Sequence, residues 1–429
     1  MKILFNTPNP SLHGGPPTHL PFLEQGLREH CAIFPFEYGR KSDNETTRQK
    51  LFGRLNDLAA TAALLAAVKP DLIHHNSAFD PRAILRDVPL AMLAQRFSVP
   101  LFIKVHGSLP EAFTMQSRIS LRLRNSLTKN VAGFGVLSTA ERNEFEEAFP
   151  ELTGKVHVVK NIVKDEFFNV IRSETERPEV LFISRFIRRK GIFDLLDAVP
   201  HILHDIPSAR FTFIGDGEDA HEFDKRVAFM KLDSAVQRIS HIDNSATRAY
   251  LQRASVFVFP THFPEGMPMV VAEAMAAGLP IVTTRTRFSQ SYMKHGEHCL
   301  FSEYGNAMSI ADQTITLLKS VQMRNRMSEM NRILAASFRQ EHVTLEFLQL
   351  YDMILERNEF RFEPQTCTVA HQEPSPQPTA KEQFVNVDIA SPVAFAEPTV
   401  RIGLISSSSS NSRTQNVRER VSTSISHGR

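Results

Sequence analysis

The chain has 429 residues, which is long enough for two domains of ordinary size and an extension. Its 49 Lys and Arg residues nearly balance 47 Asp and Glu residues, so the bulk charge argues neither for nor against a nucleic-acid partner. Three widely separated cysteines, Cys31, Cys299 and Cys367, form no metal-type pair. Their odd number indicates reduced thiols in a cytosolic setting and implies no disulfide framework.

Short apolar runs recur along the chain with helical segments between them. These runs are residues 3–5, 72–74, 101–105, 133–137, 180–183, 211–214, 256–259 and 281–283. Their alternation with helical segments predicts parallel sheets with helical crossovers, which is an α/β fold. A break falls near 160–178, where residues 172–178 are polar and carry no period. This break predicts a boundary between a first domain, 1–165, and a second domain, 166–335.

The sequence predicts no membrane span. The apolar run at 1–6 is too short for a signal peptide and is typical of a first core strand. The longest apolar stretch elsewhere, 58–68, is interrupted by Thr61 and is far shorter than the ~20 residues that cross a bilayer.

Residues 118–129 are predicted to form one basic amphipathic helix of the first domain. Its basic residues, Arg118, Arg122, Arg124 and Lys129, interleave with isoleucine and leucine residues. Such helices bind anionic membrane surfaces. A solvated helix face is an equally good explanation of the pattern.

Two glutamates eight positions apart, Glu265 and Glu273, form the most informative pattern in the chain. The run before them predicts a buried strand, and Pro268 suits the first turn of a helix, so Glu265 lies in a loop before that helix. The helix is apolar except at Glu273, whose carboxylate needs a polar partner. A helix start for phosphates with a carboxylate on either side matches the layout of a nucleotide sugar. A buried Glu paired with an Arg of a neighbouring element is the alternative.

The end of the chain changes character. Residues 336–362 are predicted to be helical, whereas 363–429 are rich in Pro, Ser and Arg. A segment of that composition cannot bury enough apolar surface to fold, so 363–429 is predicted to be a disordered tail. The few apolar residues at 384–405 favour a partner-binding stretch only weakly, and a spacer is the simpler interpretation.

The Glu265-Gly266 loop and the segment Ala272-Glu-Ala-Met-Ala-Ala-Gly-Leu-Pro-Ile-Val282 resemble the donor site of the retaining family-4 glycosyltransferases, which have the GT-B fold. Upstream, Phe182-Ile-Ser-Arg-Phe186 with Lys190-Gly191 is similar to that family's strand, Arg, loop and Lys-Gly element. Phe213-Ile-Gly-Asp-Gly217 is similar to its strand ending in Gly-x-Gly. The resemblance implies two Rossmann-like domains facing a cleft, acceptor-binding first and donor-binding second, with residues 336–362 crossing back to the first domain.

The resemblance also implies roles for single residues. It places Glu265 at the transferred sugar, Glu273 at the ribose hydroxyls, and the backbone of Gly266 and Met267 at the phosphate and sugar. The cations Arg185 and Lys190 would stabilise the leaving diphosphate, because negative charge builds on it in the transition state. The implied catalytic residues are Glu265, His106, Arg185 and Lys190, and the implied donor-binding residues are Gly14, Gly15, Arg185, Lys190, Gly215, Glu265, Gly266, Met267 and Glu273.

Four positions depart from the family pattern. Lys160 and Ile162 flank Asn161 where the family has Pro-Asn-Gly, Ser184 stands where a Gly usually precedes the Arg, and His241 occupies a usual glycine site. These departures concern the geometry around the nucleobase. They remove none of the residues to which chemistry is assigned.

The implied function is retaining transfer of a hexose from a UDP- or GDP-sugar to a glycan or lipid-linked acceptor in cell-surface polysaccharide biosynthesis. No Asp-x-Asp motif lies near a strand end, so no metal and no cofactor beyond the donor substrate are expected. A cytoplasmic protein is expected, peripheral at the inner face of the plasma membrane through 118–129, with no nucleic-acid partner. A GT-B epimerase would use a different acid/base set, and a phosphorylase would need a cofactor lysine. The alternative from another class is a catalytically silent GT-B scaffold or regulator.

Overall fold

The computed structural model of the chain describes residues 1–9, 15–42, 45–108, 117–173, 177–240 and 244–362. The predicted disordered tail, 363–429, lies outside these residues. The first half contains β1 (Lys2–Thr7), α1 (Gly15–Arg28), β2 (Ala32–Glu37), α2 (Thr47–Val68), β3 (Leu72–Ser77), α3 (Pro81–Arg96), β4 (Leu101–Val105), α4 (Arg118–Asn130), β5 (Gly133–Val136), α5 (Thr139–Ala148) and β6 (Val156–Val158).

The second half follows the same alternation of strand and helix. It contains α6 (Asp165–Phe168), β7 (Glu179–Ile183), α7 (Ile192–Asp205), β8 (Arg210–Ile214), α8 (Ala220–Phe229), β9 (Val236–Ile239), α9 (Asn244–Arg253), β10 (Val256–Phe259), α10 (Met269–Ala276), β11 (Ile281–Thr283), α11 (Arg287–Tyr292), β12 (Leu300–Phe301), α12 (Ala307–Lys319), α13 (Val321–Ala336) and α14 (Gln340–Phe362).

Within the described residues the strands form two parallel sheets of six strands each. Their orders are β2-β1-β3-β4-β5-β6 and β12-β11-β10-β7-β8-β9. Helices cover both sheets, and the predicted α/β class with two Rossmann-like halves is confirmed. In such sheets the crossover helices begin at the carboxyl edge, where ligands bind.

Four strands were missed by the sequence prediction, namely β2, β6, β9 and β12. All four are the edge strands of their sheets. Strand β2 contains Pro35 and alternates between buried and exposed residues, and β12 has only two residues. A central strand is buried on both faces and reads as an apolar run, whereas an edge strand is short or half polar, so the search for apolar runs does not find it.

Helix α14 returns from the second half to the first sheet. Its Phe347 and Tyr351 pack with Phe5 and Phe102 in one buried cluster, and Glu346 forms an ion pair with Lys160, with Nζ and Oε1 2.5 Å apart. The described residues, which end at Phe362, form one compact unit, so the domain boundaries at 165 and 335 stay predictions.

Helix α2 contains the apolar stretch 58–68 and begins eleven residues before it. With 22 residues it is the one helix, among those described, that is long and apolar enough to cross a membrane. However, it connects β2 to β3 and buries Thr61 and Leu65 on the sheet. By position it is a crossover helix of the first sheet.

Candidate active site

Lys190 enters the site through a tight turn after β7. The turn is a 3-10 helix, Arg188–Lys190, and the next residue, Gly191, has a φ of 79°. A Cβ atom at Gly191 would lie 2.1 Å from the Pro260 carbonyl oxygen. Only glycine allows this close approach, which brings Lys190 beside the end of β10.

Lys190 and Glu265 form an ion pair at the carboxyl edge of the second sheet. Lys190 Nζ lies 2.5 Å from Glu265 Oε1, and Thr261 Oγ1 donates to the same oxygen at 3.1 Å. The ammonium also lies 4.8 Å from the centroid of the Phe263 ring. Both charged side chains are mostly shielded from solvent, which strengthens their interaction. The structure therefore brings together two predicted site residues that are 75 positions apart.

Gly215 lies at the end of β8, beside the residue that precedes Arg185. Its φ is 144°, and a Cβ atom there would lie 1.8 Å from the Ser184 carbonyl oxygen. Glycine is required because the loops after β7 and β8 touch through their backbones. The side chain of Arg185 is exposed at this edge. The donor-binding roles of Gly215 and Arg185 stay predictions.

Glu273 is the fifth residue of α10, a little over one turn beyond the loop that carries Glu265. Its side chain is partly buried, and no Arg among the described residues pairs with it, which removes the alternative drawn from the sequence. Burial raises the pKa of the Glu273 carboxyl to about 7, and Lys164 offsets only part of this effect. Its carboxylate is thus available to accept hydrogen bonds from a ligand.

Gly266 and Met267 lie against the first half of the molecule. A Cβ atom at Gly266 would come within 3.3 Å of Leu137 Cδ1, so a larger residue would press the two halves apart. Met267 is buried, and its sulfur accepts a hydrogen bond from the Asn161 N–H at 3.3 Å. The loop between β10 and α10 is therefore fixed by contacts from both sheets.

His106 follows β4 at the carboxyl edge of the first sheet. Its Nε2 lies 2.6 Å from Asn76 Oδ1, and Asn76 Nδ2 donates to the Asn6 carbonyl oxygen at 2.8 Å. Because the Asn76 amide donates elsewhere, its oxygen accepts from His106 Nε2–H, which leaves Nδ1 as an acceptor. Burial, with the nearby Lys104, holds the pKa of His106 well below its usual range, so the ring is neutral at pH 7.

Two buried polar side chains near His106 were missed by the sequence analysis. Lys104 is fully buried, and its Nζ has no hydrogen-bond partner among the residues that the structure describes. Burial lowers the pKa of Lys104 to about 7. His19 of α1 is also buried, and its ring lies 5.2 Å from that of His106. The available signal was a lysine inside the apolar run 101–105, which was interpreted only as a strand.

An ionic cluster around Arg287 of α11 was also missed. Its Nη1 donates to the Ser108 carbonyl oxygen at 2.9 Å and lies 3.7 Å from Glu141 Oε1, and its Nε donates to Glu144 Oε1 at 2.9 Å. Glu141 is fully buried and accepts from the N–H groups of Ser108 and Leu137. Arg287 therefore links the second half of the molecule to two segments of the first half.

Part of the predicted site lies outside the described residues. Gly14 and the loop before it, 10–14, are in this group, as is His241. Gly15 is the first residue of α1. Within the described residues, no group of three or more His, Cys, Asp or Glu side chains could hold a metal ion.

Two family models match the chain. The model described as "Glycosyl transferases group 1" matches residues 163–333, and the model described as "Glycosyl transferase 4-like domain" matches residues 21–161. The two matches adjoin without overlapping. Together they contain every strand of both sheets except β1.

Curated relatives match over shorter stretches. A lipopolysaccharide core biosynthesis glycosyltransferase, LpsE of Rhizobium meliloti, is 30% identical over 177 residues, 41% of this chain and 50% of its own length. A putative teichuronic acid biosynthesis glycosyltransferase, TuaC of Bacillus subtilis, is 25% identical and covers 54% of this chain and 57% of its own. The chain thus spans about half the length of the curated relatives it matches.

Solved structures match more than four fifths of the chain. HepE of Anabaena in complex with UDP has a TM-score of 0.66 at 16% identity and covers 82% of this chain and 100% of its own. Sucrose-phosphate synthase of Thermosynechococcus elongatus has a TM-score of 0.65 at 19% identity and covers 83% and 99%. At these identities the likeness establishes the fold.

Proposed function

We propose that this chain, which belongs to the group 1 glycosyltransferases of GT-B fold, moves a hexose from a UDP- or GDP-sugar to a glycan or lipid-linked acceptor in cell-surface polysaccharide assembly, with retention at the anomeric carbon. The observation that carries the proposal is the shielded pair of Lys190 and Glu265, with Glu273 farther along the same loop and helix. The carboxyl group of Glu273 pairs with no cation in the described part of the chain. UDP in the solved HepE structure, and glycan biosynthesis in the names of LpsE and TuaC, support the substrate classes.

In the proposed reaction each side chain has a separate task. Glu265 accepts hydrogen bonds from the transferred sugar, and Lys190 with Arg185 neutralises the departing diphosphate. Glu273 accepts hydrogen bonds from the ribose hydroxyls at the other end of the donor. His106, neutral and fixed by Asn76, presents an uncharged polar group beside the sugar.

A panel of nucleotide sugars tests the proposal directly. The purified protein is incubated with UDP- and GDP-hexoses, and release of the nucleoside diphosphate is measured with and without candidate glycan acceptors. One donor is expected to be turned over well above the others. Turnover of none of them, with binding of UDP or GDP retained, would instead favour the silent scaffold.

We expect turnover to be independent of divalent metal. Lys190 and Arg185 can neutralise the leaving diphosphate, and this task would otherwise fall to a metal ion. Donor turnover is measured before and after EDTA treatment, and then with Mg²⁺ or Mn²⁺ restored. Loss of activity on chelation and its recovery on adding metal would contradict the assignment.

The affinity for donor should depend on pH through Glu273. Because the pKa of its carboxyl is raised to about 7, most of it is protonated at pH 6 and ionised at pH 8. The ionised form accepts from both ribose hydroxyls, so donor KM should fall by roughly tenfold as pH rises across this interval. Steady-state kinetics at fixed ionic strength measure the change.

Glu273→Gln is the matched control for this pH dependence. Its donor KM should be raised, with little change in kcat, since ribose contacts are the same in the ground and transition states. Its KM should also stay flat between pH 6 and pH 8. A variant that keeps the slope of the parent enzyme would show that another group controls donor binding.

A further inference from the structure

Large apolar side chains are exposed on the first turns of α2. Leu51, Phe52 and Leu55 are each between 55% and 63% exposed, although Leu58, Thr61 and Leu65 of the same helix face the sheet. Leu85, on the second turn of the neighbouring α3, is 61% exposed. We name these four residues, Leu51, Phe52, Leu55 and Leu85, the apolar patch.

The helix layer that carries the apolar patch is rich in basic residues. Helices α2, α3 and α4 lie side by side on one face of the first sheet and together contain ten Lys and Arg residues. Their two acidic residues, Asp57 and Asp87, are both buried. The outer surface of this helix layer therefore presents basic and apolar side chains but no carboxylate from its own helices.

The apolar patch lies at the edge of the sheet that carries the site. Crossover helices of a parallel sheet begin at its carboxyl edge, and the patch occupies the first turns of α2 and α3. Arg118 and Arg122 occupy the first turns of α4 at the same edge. His106 follows β4 at this edge too.

The predicted membrane contact through 118–129 accounts for only part of this surface. In α4 Leu127 is buried, and Leu123 packs against the core of the first sheet. These two leucines are therefore packing residues, and none of the large apolar side chains of α4 that the structure describes is exposed. The apolar component is supplied by α2 and α3.

We propose that the apolar patch, flanked by the basic residues of α2 to α4, seats the protein on an anionic lipid surface with its cleft edge toward the membrane. Apolar side chains bordered by Lys and Arg are the pattern of a helix that lies in the interface. Helix α2 lies on the bilayer and does not cross it, since it joins two strands of one sheet and pairs its buried Asp57 with Lys41, with Nζ and Oδ1 3.1 Å apart. This inference rests on the proposed function in one respect: membrane binding would bring the active site to a lipid-linked acceptor.

Vesicle flotation with the full-length chain tests this surface. Vesicles of phosphatidylglycerol and phosphatidylcholine in equal amounts are compared with vesicles of phosphatidylcholine alone. We expect binding to the anionic vesicles that weakens with salt, and a loss of about tenfold or more in the Leu51→Glu/Phe52→Glu variant. Leu85→Glu, on a different helix, should weaken binding in the same direction. Phe229→Glu changes an 87% exposed phenylalanine of α8 and should bind as the parent does.

The outcomes separate this inference from the proposed function. Vesicle binding requires no donor turnover, so it can be present in a protein that releases no nucleoside diphosphate. A protein that turns over donor can likewise fail to bind vesicles. Binding that survives Leu51→Glu/Phe52→Glu but is lost in Arg118→Ala/Arg122→Ala would place the contact on α4 and overturn the proposal. The absence of vesicle binding by the parent chain would also overturn the proposal. So would a parent chain that is a dimer and that Leu51→Glu/Phe52→Glu converts to a monomer, because the apolar patch would then be a contact between two copies.

Discussion

Replacement of Glu265 with Gln is expected to lower kcat for sugar transfer by 10- to 100-fold, on the order of 1.4 to 2.7 kcal/mol of transition-state stabilisation. Glu265 faces the proposed position of the sugar, whose anomeric carbon becomes positive as the diphosphate departs. A neutral amide keeps the shape of the side chain and part of its hydrogen bonding to Thr261, but it loses the negative charge. The same change leaves Lys190 without its carboxylate partner, 2.5 Å away in the parent.

The effect of Glu265→Gln should fall on kcat, because its charge acts most strongly on the transition state. Glu273→Gln provides the contrast, since its effect should fall on donor KM. Measuring both parameters for both variants, with the thermal midpoint as a check on folding, separates the two roles. Reversed roles, or two variants that turn over donor as the parent does, would remove this loop and helix from the donor site.

The strands that could be predicted from the sequence are those covered by helices on both faces of their sheet. All eight predicted strands are central strands, because a strand covered on both faces by helices is apolar along its whole length. The edge strands contain too few apolar residues to be found by a search for continuous apolar runs. Their existence follows from pairing with a neighbour: Lys2 to Thr7 of β1 pair in register with Ala32 to Glu37 of β2. Pairing between distant segments leaves no local pattern.

In the candidate site, residues that belong to a local motif were predictable and residues that act through distant partners were not. Lys190 and Glu265 were selected by resemblance, but only the fold shows that they touch. Lys104 was hidden because one lysine in an apolar run still predicts a strand. Arg287 lies in a short polar stretch without a motif, and its partner Glu144 is 143 positions away.

Replacement of Arg287 with Met is expected to destabilise the protein by about 3 kcal/mol, because it leaves the buried carboxylate of Glu141 without a cation. The value is at the lower end for a broken buried pair, since Glu141 keeps its hydrogen bonds from Ser108 and Leu137. The thermal midpoint should fall by roughly 5 °C or more. Donor kcat/KM should fall as well, because the neighbouring Phe288 N–H donates to the Glu265 carbonyl oxygen at 2.9 Å.

Arg339→Met supplies the matched control for the Arg287 variant. Arg339 pairs with Asp165 at 3.1 Å, but much of both side chains is exposed, so its loss should cost less than about 1 kcal/mol. Arg287→Lys should fall between the two, because an ammonium keeps the charge but cannot donate to Glu144 and Ser108 in the same fork geometry. If Arg287→Met shifts the midpoint no more than Arg339→Met does, the cluster does not hold the two halves together. If the Arg287→Met protein is destabilised but keeps a normal donor kcat/KM, the cluster around Arg287 stabilises the fold and does not position Glu265.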